Sequence, residues 1–229
     1  MFILIKNTEQ ISFFFPIGKV GGLFYMSQKK YIVQIGNCFE KDSVGKFILK
    51  KEDVAAITHH LIENKKHLSF QPVKVKIHGQ VFKAVRYKEL IDLNLFSLKS
   101  RRDVVKSFIL MLFKDSEVIT TDGIKVTMTD NSAAKISRLT YDNQQEIAMN
   151  SDKMIQIAEL ESIAVSFKKK KGVFRYYTAY IIFGKNIFRV TLNLFTDANG
   201  TRLYDINKIT QITASGTVHG SSGYKYYKP

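Results

Sequence analysis

The chain has 229 residues, 45% of them hydrophobic, which is enough to bury a proper core in one large domain or two small ones. Lysine and arginine number 35 against 20 aspartates and glutamates, giving a formal net charge of +15 and a pI of about 9.7, an excess that attracts polyanions, nucleic acid first among them. The single cysteine, Cys38, excludes an intramolecular disulfide and a cysteine-based zinc site, and no run approaches the roughly 18 uncharged apolar residues of a membrane span.

The opening MFILIKNTEQISFFFPIGKVGGLFYM is apolar and aromatic without the order of a signal peptide. Its early cation is Lys6 alone, and NTEQ and Pro16-Ile17-Gly18 break the apolar runs. Two readings stand: a strand pair covering the core, or an extension upstream of a start at Met26. Without a leader or a disulfide framework, the chain reads as cytoplasmic, or as delivered into the cytoplasm of a target cell.

From Lys30 to about Phe96 a first α+β unit is expected. Tyr31 to Ile35 and Lys46 to Leu49 read as short strands, and Lys51 to Lys66 as a helix with Val54, Ile57, Leu61 and Ile62 inward. Val73 to Ile77 and Val81 to Val85 flank His78-Gly79-Gln80, a tight hairpin. His59 and His60 are neighbours on the helix, about 100° apart, so both cannot face one ion. Lys74, Lys76, Lys83, Arg86 and Lys88 form either a solvated face or one basic track for a nucleic-acid backbone.

Arg101 to Phe113 reads as a buried helix linking two halves, and Ser116 to Met128 as a hairpin turning at Asp122-Gly123. In TDNSAAKISRL, Asp130, Asn131 or Ser132 can cap a helix carrying Lys135. A second helix is expected from about Ser151 to Ser166, with Ile155, Ile157, Ala158, Leu160, Ile163 and Ala164 apolar. Lys168, Lys169, Lys170 and Lys171 follow directly, four like charges that must be exposed and that suit phosphate contact.

Val173 to Ile206 (VFRYYTAYIIFGKNIFRVTLNLFTDANGTRLYDI) has the pattern of an antiparallel meander. It turns at Gly184-Lys185, where Gly suits a type II′ hairpin, and at Asp197-Ala198-Asn199-Gly200. Strict alternation puts Tyr177, Ala179, Ile181, Phe188, Val190, Leu192, Leu194 and Leu203 on the core face. The other face gathers Tyr176, Thr178, Tyr180, Arg189, Thr191, Asn193, Arg202 and Tyr204, with Ile182, Ile187 and Ile206 at its margins. The meander's two acidic side chains are Asp197, in a turn, and Asp205, expected on the core side. A plain wet face with cross-strand aromatic pairs would account for this, and so would an RNA- or phosphate-binding surface. The tail from Thr213 to Pro229 is Gly/Ser-rich and then Tyr/Lys-rich, and is expected to be flexible.

The order of hairpin, two helices and meander resembles the C-terminal half of the barnase/EndoU/colicin/RelE-like (BECR) nuclease superfamily, in its phage and mobile-element branch of polyvalent proteins and MuF-type toxins. TTDGIKVTMT (Thr120 to Thr129), AAKISRL around Lys135, IQIAELESIAV (Ile155 to Val165) and Tyr176 to Ile206 carry the resemblance, which spans about Val118 to Ile209. It implies an α+β fold for this half, a BECR-like domain over 116–212 with two helices packed on a twisted antiparallel sheet; residues 1–115, an N-terminal α+β unit of unassigned role, have no counterpart in it, and 213–229 is the flexible tail. It also implies a metal-independent, cofactor-free ribonuclease toxin or effector acting on RNA, with an immunity or antitoxin protein as a further partner. Several branches use a helical histidine as acid or base, yet no histidine lies between Val118 and Ile209. The site is then either histidine-free, as in RelE-like members, or has lost its chemistry.

Cations held in place stabilise the charge of a phosphorane. Arg189 and Arg202 on adjacent strands suit that task, with Lys135 assisting. Tyr204, Tyr176 or Tyr180 can move a proton if nearby cations lower a pKa that starts near 10. Lys168 to Lys171, Arg175, Tyr180 and Thr191 are the expected nucleic-acid contacts. No metal ligands are expected, and the signatures of nucleotide-binding loops, nucleophile elbows and zincins are absent. The competing reading from another class is a non-catalytic nucleic-acid-binding or adaptor module. A membrane-surface role lacks an amphipathic basic helix.

Overall fold

The computed structural model describes residues 4–7, 10–14, 32–34, 40–67, 71–87, 90–139, 144–166, 171–212 and 218–220. It is an α+β chain that divides into two compact units, Met1–Leu68 with Lys88–Ser107, and Ser69–Tyr87 with Phe108–Pro229.

In the first unit, β1 (Leu4–Asn7) and β2 (Gln10–Phe14) pair antiparallel and β3 (Ile32–Gln34) joins β2 in parallel, so the opening residues do form a strand pair. β4 (Glu40–Lys41) and β5 (Phe47–Ile48) make a short hairpin. The helix α1 (Lys51–His67) begins where Asp53 accepts a 3.0 Å hydrogen bond from the Lys50 amide, satisfying a donor that the first turn leaves free. Val54, Ile57, Leu61 and Ile62 are buried, as their spacing requires. After a 3-10 turn at Leu93–Leu95 comes α2 (Leu98–Asp115), which the unit boundary crosses after Ser107. Within the first unit the Ser97 amide bonds the Phe47 carbonyl at 2.8 Å, and the Leu49 amide bonds the Ser100 hydroxyl at 2.8 Å.

The second unit is built on a nine-stranded mixed sheet. β6 (Val73–Ile77) and β7 (Gln80–Arg86) form a hairpin whose tip residues His78 and Gly79 both have positive φ, 48° and 82°, the signature of a type I′ turn. β8 (Val118–Ile119) and β9 (Lys125–Thr127) flank the Asp122-Gly123 turn. Three short helices follow: α3 (Asp130–Ile136), α4 (Gln144–Ala148) and α5 (Ser151–Ile157). Thr129 is the residue that caps α3, accepting from the Ser132 amide. Then come β10 (Glu159–Val165), β11 (Val173–Phe183), β12 (Asn186–Asp197), β13 (Gly200–Ile212) and β14 (Val218–Gly220).

The sheet runs β6-β7-β11-β12-β13-β9-β8, with β10 beside one end of β11 and β14 beside the end of β13. Two pairings are parallel, β7 with β11 and β9 with β13, so the sheet is mixed where an antiparallel one was expected. The β6-β7 hairpin belongs to this sheet and not to the first unit, so the compact units cut the chain differently from 1–115 and 116–212.

Two expectations are corrected here. The helix expected from Ser151 to Ser166 stops at Ile157, and its second half is the strand β10. Between α3 and α5 lies the additional helix α4, so the two-helix arrangement is not the one found.

Both meander turns are two-residue loops, Phe183 pairing with Asn186 and Asp197 with Gly200. At the first, φ is positive at Gly184 and not at Lys185, as a type II′ turn demands. At the second, the Asp197 carboxylate accepts from the Asn199 amide at 2.9 Å. Tyr177, Ala179, Ile181, Val190, Leu192, Leu194 and Leu203 are all buried, and Phe188 is half-buried. Phe108, Ile109 and Leu112 of α2 and Met154 and Ile155 of α5 are also buried, and α5 packs against β11 and β7.

Candidate functional site

The register of β12 against β13 shifts twice. A two-residue loop followed by strict alternation would set Thr191 against Ile206 and Asn193 against Tyr204. Irregularities at Thr191/Leu192 and Asn193/Leu194 instead set Thr191 opposite Lys208, Asn193 opposite Asp205 and Arg189 opposite Thr210. Ile206 thereby pairs with Leu192 and is buried, and Asp205 joins Asn193, the reverse of the expected faces.

A third irregularity lies in β10, between Leu160 and Ser162, where Glu161 is the unpaired residue. Glu161 reaches over β11. Its Oε2 accepts from the Thr178 hydroxyl at 2.6 Å, and its Oε1 accepts from Arg189 Nη2 at 2.9 Å. The same guanidinium lies 3.4 Å from the Thr178 hydroxyl. The Thr178 bond, with Arg189 and then Lys208 adding to it against a smaller opposing effect of burial, holds the Glu161 carboxyl below its ordinary range.

Around this pair is a concavity of about 450 Å³. Its lining includes the charged Glu161, Arg189 and Lys208 and the hydroxyl residues Ser162, Thr191 and Thr210. Tyr176, Tyr180, Ile77 and Ile212 add aromatic and apolar surface. His78, at the tip of the β6-β7 hairpin, completes the lining. The parallel pairing of β7 with β11 brings that hairpin here, Ala84 lying beside Tyr180 in the register. Burial raises the Tyr180 pKa in spite of Arg189, so that phenol keeps its proton at neutral pH.

The candidate residues from the sequence divide into two groups. Arg189, Tyr176, Tyr180 and Thr191 meet in the concavity. Arg202 pairs across the strands with Phe195 and not near Arg189; six residues of β12 separate the two pairings, roughly 20 Å at strand rise. There Arg202 binds Asp197 at 2.8 Å and lies over the Phe195 ring, 4.8 Å from its centroid. Lys135, from α3, binds Asp205 at 2.6 Å and sits 4.7 Å above the Tyr204 ring. Tyr204 in turn meets Phe174 and Phe195 edge to face or tilted. These are packed, mutually satisfied groups.

Arg175 pairs with Leu194 and Ile163, which puts it on the opposite sheet face from Arg189. Its charge helps depress Asp122, whose carboxylate accepts both of its 2.9 Å contacts from the Tyr177 hydroxyl. Lys171 is exposed just before β11, while Lys168, Lys169 and Lys170 lie outside the described residues.

Sequence reasoning missed Glu161, Lys208, Thr210 and His78. Glu161 was hidden by the helical reading of its strand, and Lys208 and Thr210 by the two register shifts. His78 was noted as a turn residue, but nothing local ties that turn to the meander.

No helix among the described residues is long and apolar enough to cross a membrane, and no three His, Cys, Asp or Glu among them cluster as metal ligands. What fold and site define is an α+β chain with a mixed sheet and a basic, aromatic concavity on one sheet face. The chain matches no protein-family model, no curated protein and no solved structure.

Proposed function

We propose that the concavity is the active site of a metal-independent ribonuclease. The observation that carries this reading is the convergence of His78, Glu161, Arg189 and Lys208 from separate parts of the chain on one concave surface. A carboxylate, an imidazole and two cations can together supply the base, the acid and the charge stabilisation of cleavage through a ribose 2′-hydroxyl.

In this reading the scissile phosphate is held by Arg189 and Lys208. Arg189 leaves Glu161 to bind it, which removes one of the influences that keep the Glu161 proton affinity low. Glu161 takes the proton of the 2′-hydroxyl, and the 2′-oxygen attacks phosphorus. The bond from phosphorus to the 5′-oxygen breaks, and protonated His78 gives that oxygen its proton. The products are a 2′,3′-cyclic phosphate and a 5′-hydroxyl end.

The test is incubation of the purified protein with total RNA in EDTA, reading end chemistry. Each of Glu161→Gln and His78→Gly should slow cleavage by about 10²-fold, the ordinary scale of acid-base catalysis. Glycine suits the φ of 48° at position 78, so that variant removes the imidazole and keeps the turn. RNA left intact by the wild type, or cleavage by both variants at its rate, would overturn the proposal.

A further inference from the structure

The concavity lies where two kinds of surface meet. Ile77 and Tyr180 line it, and both also belong to an apolar cluster on the same sheet face, centred on Val75, Ala84 and Ile182. Phe82 fixes the Tyr180 ring from one side, with ring centroids 4.7 Å apart and planes at 43°. Directly across the strand from Tyr180 is Arg189. Side chains in such a pair start about 5 Å apart, so an aromatic wall and a guanidinium are presented within the span of one nucleotide, base to phosphate.

The volume decides what can use both. About 450 Å³ is at the small end of ligand sites and takes a nucleotide, not a helix. In a duplex both faces of a base are covered by its neighbours, so its backbone alone would reach Arg189 and Lys208. An unpaired base can turn out of the stack and lie against Tyr180 while its phosphate stays on the cations.

We infer that the substrate is single-stranded RNA, bound with one unstacked base against the Tyr180 and Ile77 side and its phosphate on Arg189 and Lys208. This deepens the ribonuclease reading and rests on it for the choice of site. Duplex RNA held by the lysines alone is the competing case.

The experiment uses the full chain and a fluorescently labelled 2′-O-methyl oligonucleotide, which lacks the attacking hydroxyl and is not cleaved. Anisotropy titrations compare the single strand with its duplex. The single strand should bind about tenfold more tightly, within the range that stacking on one aromatic side chain supplies. Tyr180→Leu keeps an apolar contact for Phe82 and Ile77 and removes the stacking ring, so it should erase that preference while duplex binding stays as it was. Equal affinities for the two forms in the wild type, or an unchanged preference in Tyr180→Leu, would overturn the inference. Cleavage of the matching unmodified RNA is followed in parallel. A retained single-strand preference without cleavage would sink the catalytic reading and leave the binding assignment supported.

Discussion

Arg189 and Arg202 are one residue type on adjacent strands, and the geometry predicts opposite consequences for their removal. Both partners of the Arg189–Glu161 pair are nearly half exposed, at 45% and 47%, so the pair contributes about 0–1 kcal/mol to stability. Arg189→Ala should therefore leave the melting temperature within about 4 °C of wild type, at the 2–4 °C per kcal/mol of a chain this size. Its cost should fall on RNA cleavage, where loss of one preorganised donor typically removes about 10²–10³-fold. Arg202 and Asp197 are only 16% and 18% exposed, and the guanidinium also covers Phe195. Arg202→Ala removes the 2.8 Å contact to the half-buried Asp197 carboxylate and uncovers Phe195, at a cost of about 1–3 kcal/mol, or roughly 2–12 °C. Cleavage per folded molecule should change less than about threefold, since no phosphate contact is lost. Single-turnover cleavage in EDTA, normalised to the folded fraction, and thermal unfolding by circular dichroism check both halves. Equal losses of cleavage in the two variants would refute the division of this sheet face into a reactive end and a packed end.

Tyr177→Phe should destabilise the fold by about 1–2 kcal/mol near neutral pH, a charge-assisted bond discounted for the exposure of Asp122. Burial and Asp122 push the Tyr177 pKa up to about 12. Burial works against it, but the Thr120 and Tyr177 hydroxyls hold Asp122 below its ordinary value. A depressed carboxyl contributes in full above its unfolded pKa of about 3.9 and loses that contribution as pH falls through the folded value. The gap between wild type and Tyr177→Phe in urea titrations should accordingly close in acid; a gap that widens there would contradict the assignment. Lys135→Ala, which leaves the largely buried Asp205 without its 2.6 Å partner, should cost about 1–2 kcal/mol by the same assay and leave cleavage per folded molecule unchanged. At Gly172 an added Cβ would stand 2.5 Å from both Phe195 Cζ and the Thr196 carbonyl oxygen. Gly172→Ala should lower stability by about 1–3 kcal/mol in thermal unfolding, the usual cost of forcing atoms into a packed site.

The parts of this fold legible in the sequence are those written in local chemistry. Gly184, Gly79 and the Asp197 to Gly200 run mark turns because they need positive φ or an Asx bond, and all three lie where hairpins turn. From Tyr176 to Leu194 the faces follow from alternation, because β11 and β12 pair without interruption. The reading failed where pairing with a distant strand decides the outcome. In Ile155 to Val165 the apolar residues fit a helix as well as a strand, and only the edge of β11 makes Glu159–Val165 extended. The two shifts between β12 and β13 leave no mark on composition, yet they decide that Lys208 and not Ile206 faces Thr191.

The segment from Val118 to Ile209 holds no histidine, so the proposed ribonuclease chemistry takes its imidazole from elsewhere in the chain. Parallel pairing between β7 and β11 supplies one, because a sheet recruits side chains by neighbourhood and not by chain order. His78 reaches the concavity through a hairpin that the sequence assigns to another unit, while the bulge in β10 adds the carboxylate. Arg202, Lys135 and Tyr204 stand away from that concavity, held by Asp197, Asp205 and the Phe174 and Phe195 rings.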